Sequence, residues 1–129
     1  MDDLAPTYSV DADLERGEVH YCVSGLWDMP TMMKFQSELL AKSKPLIEAG
    51  RKIHALGEMG DFVTQTREIS DAMRLVITES AKLGVVKTAI VGGSMLMKMQ
   101  YKRLNHDINC EFFDSKSDAV AWLRSQVAA

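Results

Sequence analysis

The sequence predicts an α/β fold in which a mixed sheet, opened by a β-hairpin, is covered by about four helices. Three observations predict it. Two strand-like runs meet at Arg16-Gly17 near the start. From residue 27 onward, stretches of helical spacing alternate with short apolar runs suited to buried strands. Gly50 and Gly84 fall where two of those helices should stop. The hairpin supplies an antiparallel pair and the alternation supplies parallel crossovers, each right-handed.

The elements follow in order. "TYSVDADLE" (7–15) and "EVHYCVSGL" (18–26) flank Arg16-Gly17, with Gly17 providing the positive φ of a tight turn. In the second run Val19, Tyr21 and Val23 share one face, and His20, Cys22 and Ser24 share the other. "WDMPTMMKFQSELLAKSKPLIEAG" then turns helical, with Met32, Phe35, Gln36, Leu39 and Leu40 on one stripe and Pro30 suited to the first turn. Pro45 should break or kink this helix near Ser43, and Gly50 should end it. "RKIHALGEM" reads as a short buried strand. "TQTREISDAMRLVITESAKLG" keeps Ile69, Met73, Val76, Ile77 and Ala81 on one face and charges on the other. "VVKTAIV" is a β-branched central strand. In "SMLMKMQYKRL" the alternation of Met95, Met97, Met99 and Tyr101 suggests a strand, but the helix-forming composition and the lack of β-branched residues favour a helix. "DINCEFF" and a helix from Lys116 to about Ala128 close the chain.

Composition bounds the function. A chain of 129 residues with 47% hydrophobic and 26% charged content is expected to form one soluble globular domain over residues 1–129. A net charge of −3 gives no general attraction to nucleic acid or anionic lipid, so neither is expected as a partner. The acidic start "MDDLAPTYSV" is unlike a secretory signal, and no apolar run is long enough to insert stably in a membrane, so a cytoplasmic protein is expected. Cys22 and Cys110 form no C-x-x-C pair and are expected to be buried small hydrophobes. No metal-ligand spacing joins His20, His54 and His106, so neither a metal nor any other cofactor is expected. "VGGSM" lacks the lysine and full glycine spacing of a phosphate-binding loop, and Gly92-Gly93 reads as a turn.

The chain resembles the STAS-like superfamily and, within it, SpoIIAA-like bacterial proteins. "VSGLWD", "ALGEMGDF", "KTAIVGG" and "EFFDSKSDAVAWL" carry the resemblance, which spans roughly residues 8 to 126. It implies a mixed sheet with helices packed mainly on one face, a non-enzymatic role, and a protein partner or small apolar ligand. In the anti-sigma-factor antagonist branch a serine at the start of the helix after the middle strand is phosphorylated. The corresponding stretch, "MGDFVTQTRE", lacks the Asp-Ser-Ser/Thr-Gly signature and offers only the hydroxyls of Thr64 and Thr66.

Four groups of residues are candidates for chemistry. Ser115, three residues before Asp118, fits a helix N-cap with an acid in the first turn, which accounts for every polar residue there. Thr64 is expected to cap the long helix, and Thr64 with Thr66 is the first choice for a phosphate switch. His54, Glu58 and Asp61 are the basis of the alternative, a small hydrolase-like or acid–base enzyme, provided they converge in a cleft. The nine methionines are the last group, with Met29, Met32 and Met33 in one cluster and Met95, Met97 and Met99 in another. Methionine suits both irregular cores and adaptable apolar surfaces. The sharper reading has Met32, Met33, Met95, Met97, Met99 and Tyr101 bordering an apolar groove with Trp27 at its rim. Such a groove would receive a lipid-like ligand or a partner helix, and an exposed sheet edge or helix face would allow a homodimer.

Overall fold

Gly17 adopts φ +72 and its N–H reaches the Asp13 carbonyl at 3.0 Å, so the chain reverses between β1 (Thr7–Asp13) and β2 (Glu18–Ser24). From there the computed structural model, which describes residues 4–105 and 108–125, follows the predicted order. The elements are α1 (Met29–Glu48), β3 (Ile53–Glu58), α2 (Arg67–Leu83), β4 (Val85–Val91), α3 (Met95–Leu104), β5 (Asn109–Phe113) and α4 (Lys116–Arg124). The strands lie side by side in chain order, with β1 antiparallel to β2 and every later pair parallel.

Helices α1, α2 and α3 cover one face of the sheet around Val19, Val23, Met32, Ile69, Ile90 and Met97. Helix α4 alone covers the other, where Ala119 and Leu123 pack on Leu56 and Ala89. The period-2 split of β2 holds: Val19 and Val23 are buried in the three-helix core, and Cys22 is exposed on the opposite side. Cys22 is thus not the buried hydrophobe expected, and Cys110 is only half buried.

Local signals fix most helix ends. Asp28 caps α1 by accepting from Thr31 N at 2.9 Å, Ser94 caps α3 by accepting from Met97 N at 3.1 Å, and Ser115 caps α4 by accepting from Asp118 N at 3.1 Å. Segment 95–104 is therefore a helix, as composition favoured. Three expectations need correction. Thr66, not Thr64, caps α2, accepting from Ile69 N at 3.3 Å. Helix α1 is not broken at Pro45 and continues to Glu48. Proline forfeits one N–H, but its would-be partner Ala41 and Pro45 itself are exposed, while Ser43 and Leu46 are buried and hold the turns on either side. The buried stripe of α1 is also rotated from the expected one: Met32, Phe35, Ser43 and Leu46 face inward, whereas Gln36 and Leu40 are exposed. The expected start of β5 at Asp107 and the end of α4 near Ala128 lie outside the described residues. Among the described residues no helix is long and apolar enough to cross a membrane.

Candidate functional site

Beneath α1 and α2 the three-helix core does not close. A cavity of about 100 Å³ lies there. Val19, Tyr21 and Val23 of β2, Ala55 of β3 and Thr88 of β4 form its floor, and Met32, Phe35, Met73 and Ile77 of the two helices form its roof. Edge-on aromatic contacts stiffen one side: Trp27 lies 5.0 Å from Phe35 and 5.3 Å from Phe62, and Tyr21 lies 5.8 Å from Phe35, measured between ring centroids. A second hollow of about 210 Å³ lies between α1 and α2, bordered by Gln36, Leu40, Ile47, Glu79 and Leu83. Leu39, Ser43, Val76, Ser80 and Val85 border both hollows, so the two are neighbours. Ser43 and Ser80 are the small residues on this border.

Tyr21 and Tyr101 both line the cavity, and their hydroxyls stand 3.5 Å apart. Burial pushes both phenols above their ordinary range, so they stay protonated and serve as O–H donors at any physiological pH. Gly57 makes room for Tyr21, because a Cβ there would meet the Tyr21 ring at 2.5 Å.

The opposite face carries a polar cluster that links the hairpin to α4. Glu18, 2% exposed, accepts from Arg124 Nε at 2.9 Å and Nη2 at 3.0 Å, and lies 2.9 Å from His20 Nε2. Burial alone would raise its carboxyl, but the hydrogen bonds from Arg124 and then His20 outweigh burial and hold it below its ordinary value. Buried Lys87 donates to the Trp122 carbonyl at 2.5 Å, with its ammonium 4.3 Å from the Trp122 ring centre, and so caps the last turn of α4. Burial lowers its pKa. Neither buried charge was singled out in the sequence. Lys87 did leave a signal, being a lone charge inside "VVKTAIV", whereas Glu18 directly follows the hairpin turn, where a charge is ordinary.

The predicted site residues divide. Trp27, Met32 and Tyr101 line the cavity, and Trp27 is a wall residue at 4% exposure, not a rim residue. Met97 is buried in the same core. Met33, Met95 and Met99 are 62%, 71% and 49% exposed and line neither hollow. The opening lies between α1 and α2, so the two methionine clusters do not face each other across it. His54, Glu58 and Asp61 do not converge. His54 is half buried near Lys87, and its pKa is lowered by burial first and Lys87 second. Glu58 stands four positions further along β3, about 13 Å away at ~3.3 Å per residue, and is 3.3 Å from Lys116 Nζ. Asp61 is exposed in the loop that follows. Among the described residues no cluster of His, Cys, Asp or Glu is arranged to hold a metal ion.

No family model and no curated protein matches this chain by sequence. Solved structures do match it in three dimensions. An uncharacterized protein of the DUF3478 family with a SpoIIAA-like fold, from Shewanella loihica, superposes over 92% of this chain and 94% of its own with a TM-score of 0.64 at 16% identity. An anti-sigma factor antagonist from Mycobacterium paratuberculosis superposes over 97% and 98% with a TM-score of 0.62 at 15% identity. The fold is SpoIIAA-like.

Within the SpoIIAA-like frame, the loop before α2 is held by a residue that sequence reasoning passed over. Gln65 is buried and accepts from Trp27 N at 2.8 Å while donating to the Gly25 carbonyl at 3.0 Å. Its own backbone is gripped by Gln100, which accepts from Gln65 N at 2.8 Å and donates to Gln65 O at 3.0 Å. The clip joins the loop to the start of α1 and to α3. On either side of it Thr64 and Thr66 are exposed, with Thr66 engaged in the cap.

Proposed function

We propose that this chain is a non-catalytic regulatory module of the STAS-like type that binds a small apolar ligand in the cavity under α1 and α2. The observation that carries the reading is the apolar hollow walled by Val19, Met32, Phe35 and Ile77, which a second hollow adjoins at Ser43 and Ser80. The dispersal of His54, Glu58 and Asp61 argues against the acid–base alternative. A regulatory role is consistent with likeness to an anti-sigma factor antagonist. A second reading, a protein partner, is favoured by one feature: Met95, Leu96 and Met99 form an exposed apolar stripe on α3. Met33 stands apart on α1 as a further exposed contact point. A second copy of the chain would add at β1, the longer of the two edge strands. A phosphate switch, if the chain uses one, falls on Thr64, because Thr66 is committed to its cap. Titration with an apolar fluorescent dye tests the main reading. Saturable one-to-one binding, displaced by an aliphatic ester, is expected, and its absence from folded protein refutes the proposal.

A further inference from the structure

The chemistry of the lining narrows the ligand. Resting on the cavity reading above, we infer that the ligand is neutral and carries an oxygen acceptor held by the hydroxyls of Tyr21 and Tyr101, with an aliphatic chain leading out between Ser43 and Ser80.

The acceptor follows from the tyrosine pair. Tyr21 and Tyr101 both line the inner cavity and neither lines the outer groove. At 3.5 Å they are too far apart for a strong O–H to O bond, which spans ~2.5–3.0 Å, and only one of the two can donate to the other. Among the described residues at least one of the two O–H groups therefore has no good acceptor. A carbonyl, ester or ether oxygen lodged between them accepts from both and relieves that cost.

Neutrality follows from the charges. Among the described residues, nothing that lines the inner cavity ionises apart from the two tyrosines. Among the described residues the outer groove has a single ionisable one, Glu79, and it repels an anion; the neighbouring Lys82 ammonium already lies 3.5 Å from that carboxylate. A carboxylate or phosphate would enter without a counter-charge, which is strongly disfavoured in an apolar site. Size follows from the volume. About 100 Å³ admits roughly seven to ten water-sized groups at ~10–15 Å³ each, so a medium chain fills the inner cavity and continues into the groove.

Trp27 reports occupancy directly, because it lines the cavity while Trp122 lies on the opposite face. The experiment titrates the full chain, in a Trp122→Phe background, with octyl acetate, decane and decanoate at neutral pH, and repeats each titration with Tyr101→Phe and with Tyr21→Phe. Circular dichroism verifies that every variant is folded. The inference expects saturable binding of octyl acetate, with decane weaker by about three- to tenfold for want of the acceptor and decanoate weaker still. Tyr101→Phe should weaken octyl acetate by a similar factor and leave decane unchanged. Equal binding of ester and alkane, unaffected by either tyrosine change, overturns the acceptor while the cavity reading stands. Tighter binding of decanoate overturns neutrality. Failure of all three probes to bind folded protein overturns the cavity reading itself.

Discussion

Ala55→Val fills the cavity from its floor. Ala55 sits on β3 between Val19 of β2 and Thr88 of β4, and all three line the hollow. An empty cavity of about 100 Å³ costs at most about 2.4 kcal/mol at ~24 cal/mol per Å³. Valine adds two carbons, which recover about 1.6 kcal/mol at ~0.8 kcal/mol each, and a β-branched residue suits a central strand. The variant is therefore expected to be about 1–1.6 kcal/mol more stable than the parent in urea unfolding, with an unchanged m-value, while losing octyl acetate binding. Overpacking would have the opposite sign, typically ~1–3 kcal/mol of destabilisation. Loss of stability together with intact ligand binding would refute the reasoning, because it would mean that the space beside Ala55 is already filled and the ligand binds elsewhere.

Four further outcomes are expected. Ser115→Ala should cost ~1 kcal/mol in urea unfolding and leave ligand affinity unchanged, since the hydroxyl only caps α4. Gln65→Ala strands Trp27 N and the Gly25 carbonyl, so it should cost ~1–3 kcal/mol and speed limited proteolysis between residues 59 and 66. Met97→Ala should destabilise by ~2–5 kcal/mol, whereas Met99→Glu, on the exposed side of α3, should stay within ~0.5 kcal/mol by the same assay. Acidification should loosen the α4 face in two steps. The native pKa of His54 lies below its ordinary 6.5, so the unfolded chain takes up that proton first and stability falls as pH drops below about 6.5. Glu18 likewise lies below its ordinary 4.5, so its contribution is present above that value and is lost as pH falls through the native pKa. Urea midpoints measured across this range should fall in both windows, and His54→Gln should remove His54's contribution to the upper one.

The element order was legible because its signals are local. Gly17, the alternation in β2, the apolar face of α2 and the cap at Ser115 each act within a few residues of themselves. Segment 95–104 shows composition prevailing over a misleading alternation, since Met97, Tyr101 and Leu104 are buried at helical spacing. Where sequence reasoning failed, distant residues decide. Pro45 stays helical because Ser43 and Leu46 dock on other elements, and the cap of α2 moves from Thr64 to Thr66 where Gln65 is clipped to Gly25, Trp27 and Gln100. Glu18 reaches a partner 106 positions away in Arg124. The cavity was only half legible. Trp27, Met32 and Tyr101 were named from composition, but the opening depends on how α1 and α2 lie over the sheet, with Ser43 and Ser80 between them, and no spacing along the chain records that.

Native mass spectrometry of the protein isolated gently from its own host, alongside the Ala55→Val variant, tests the central claim most directly. The account predicts a retained neutral small molecule on the parent chain, absent from the variant, with octyl acetate restoring a bound peak to stripped parent protein only. A bare parent chain that also takes up no octyl acetate would contradict it.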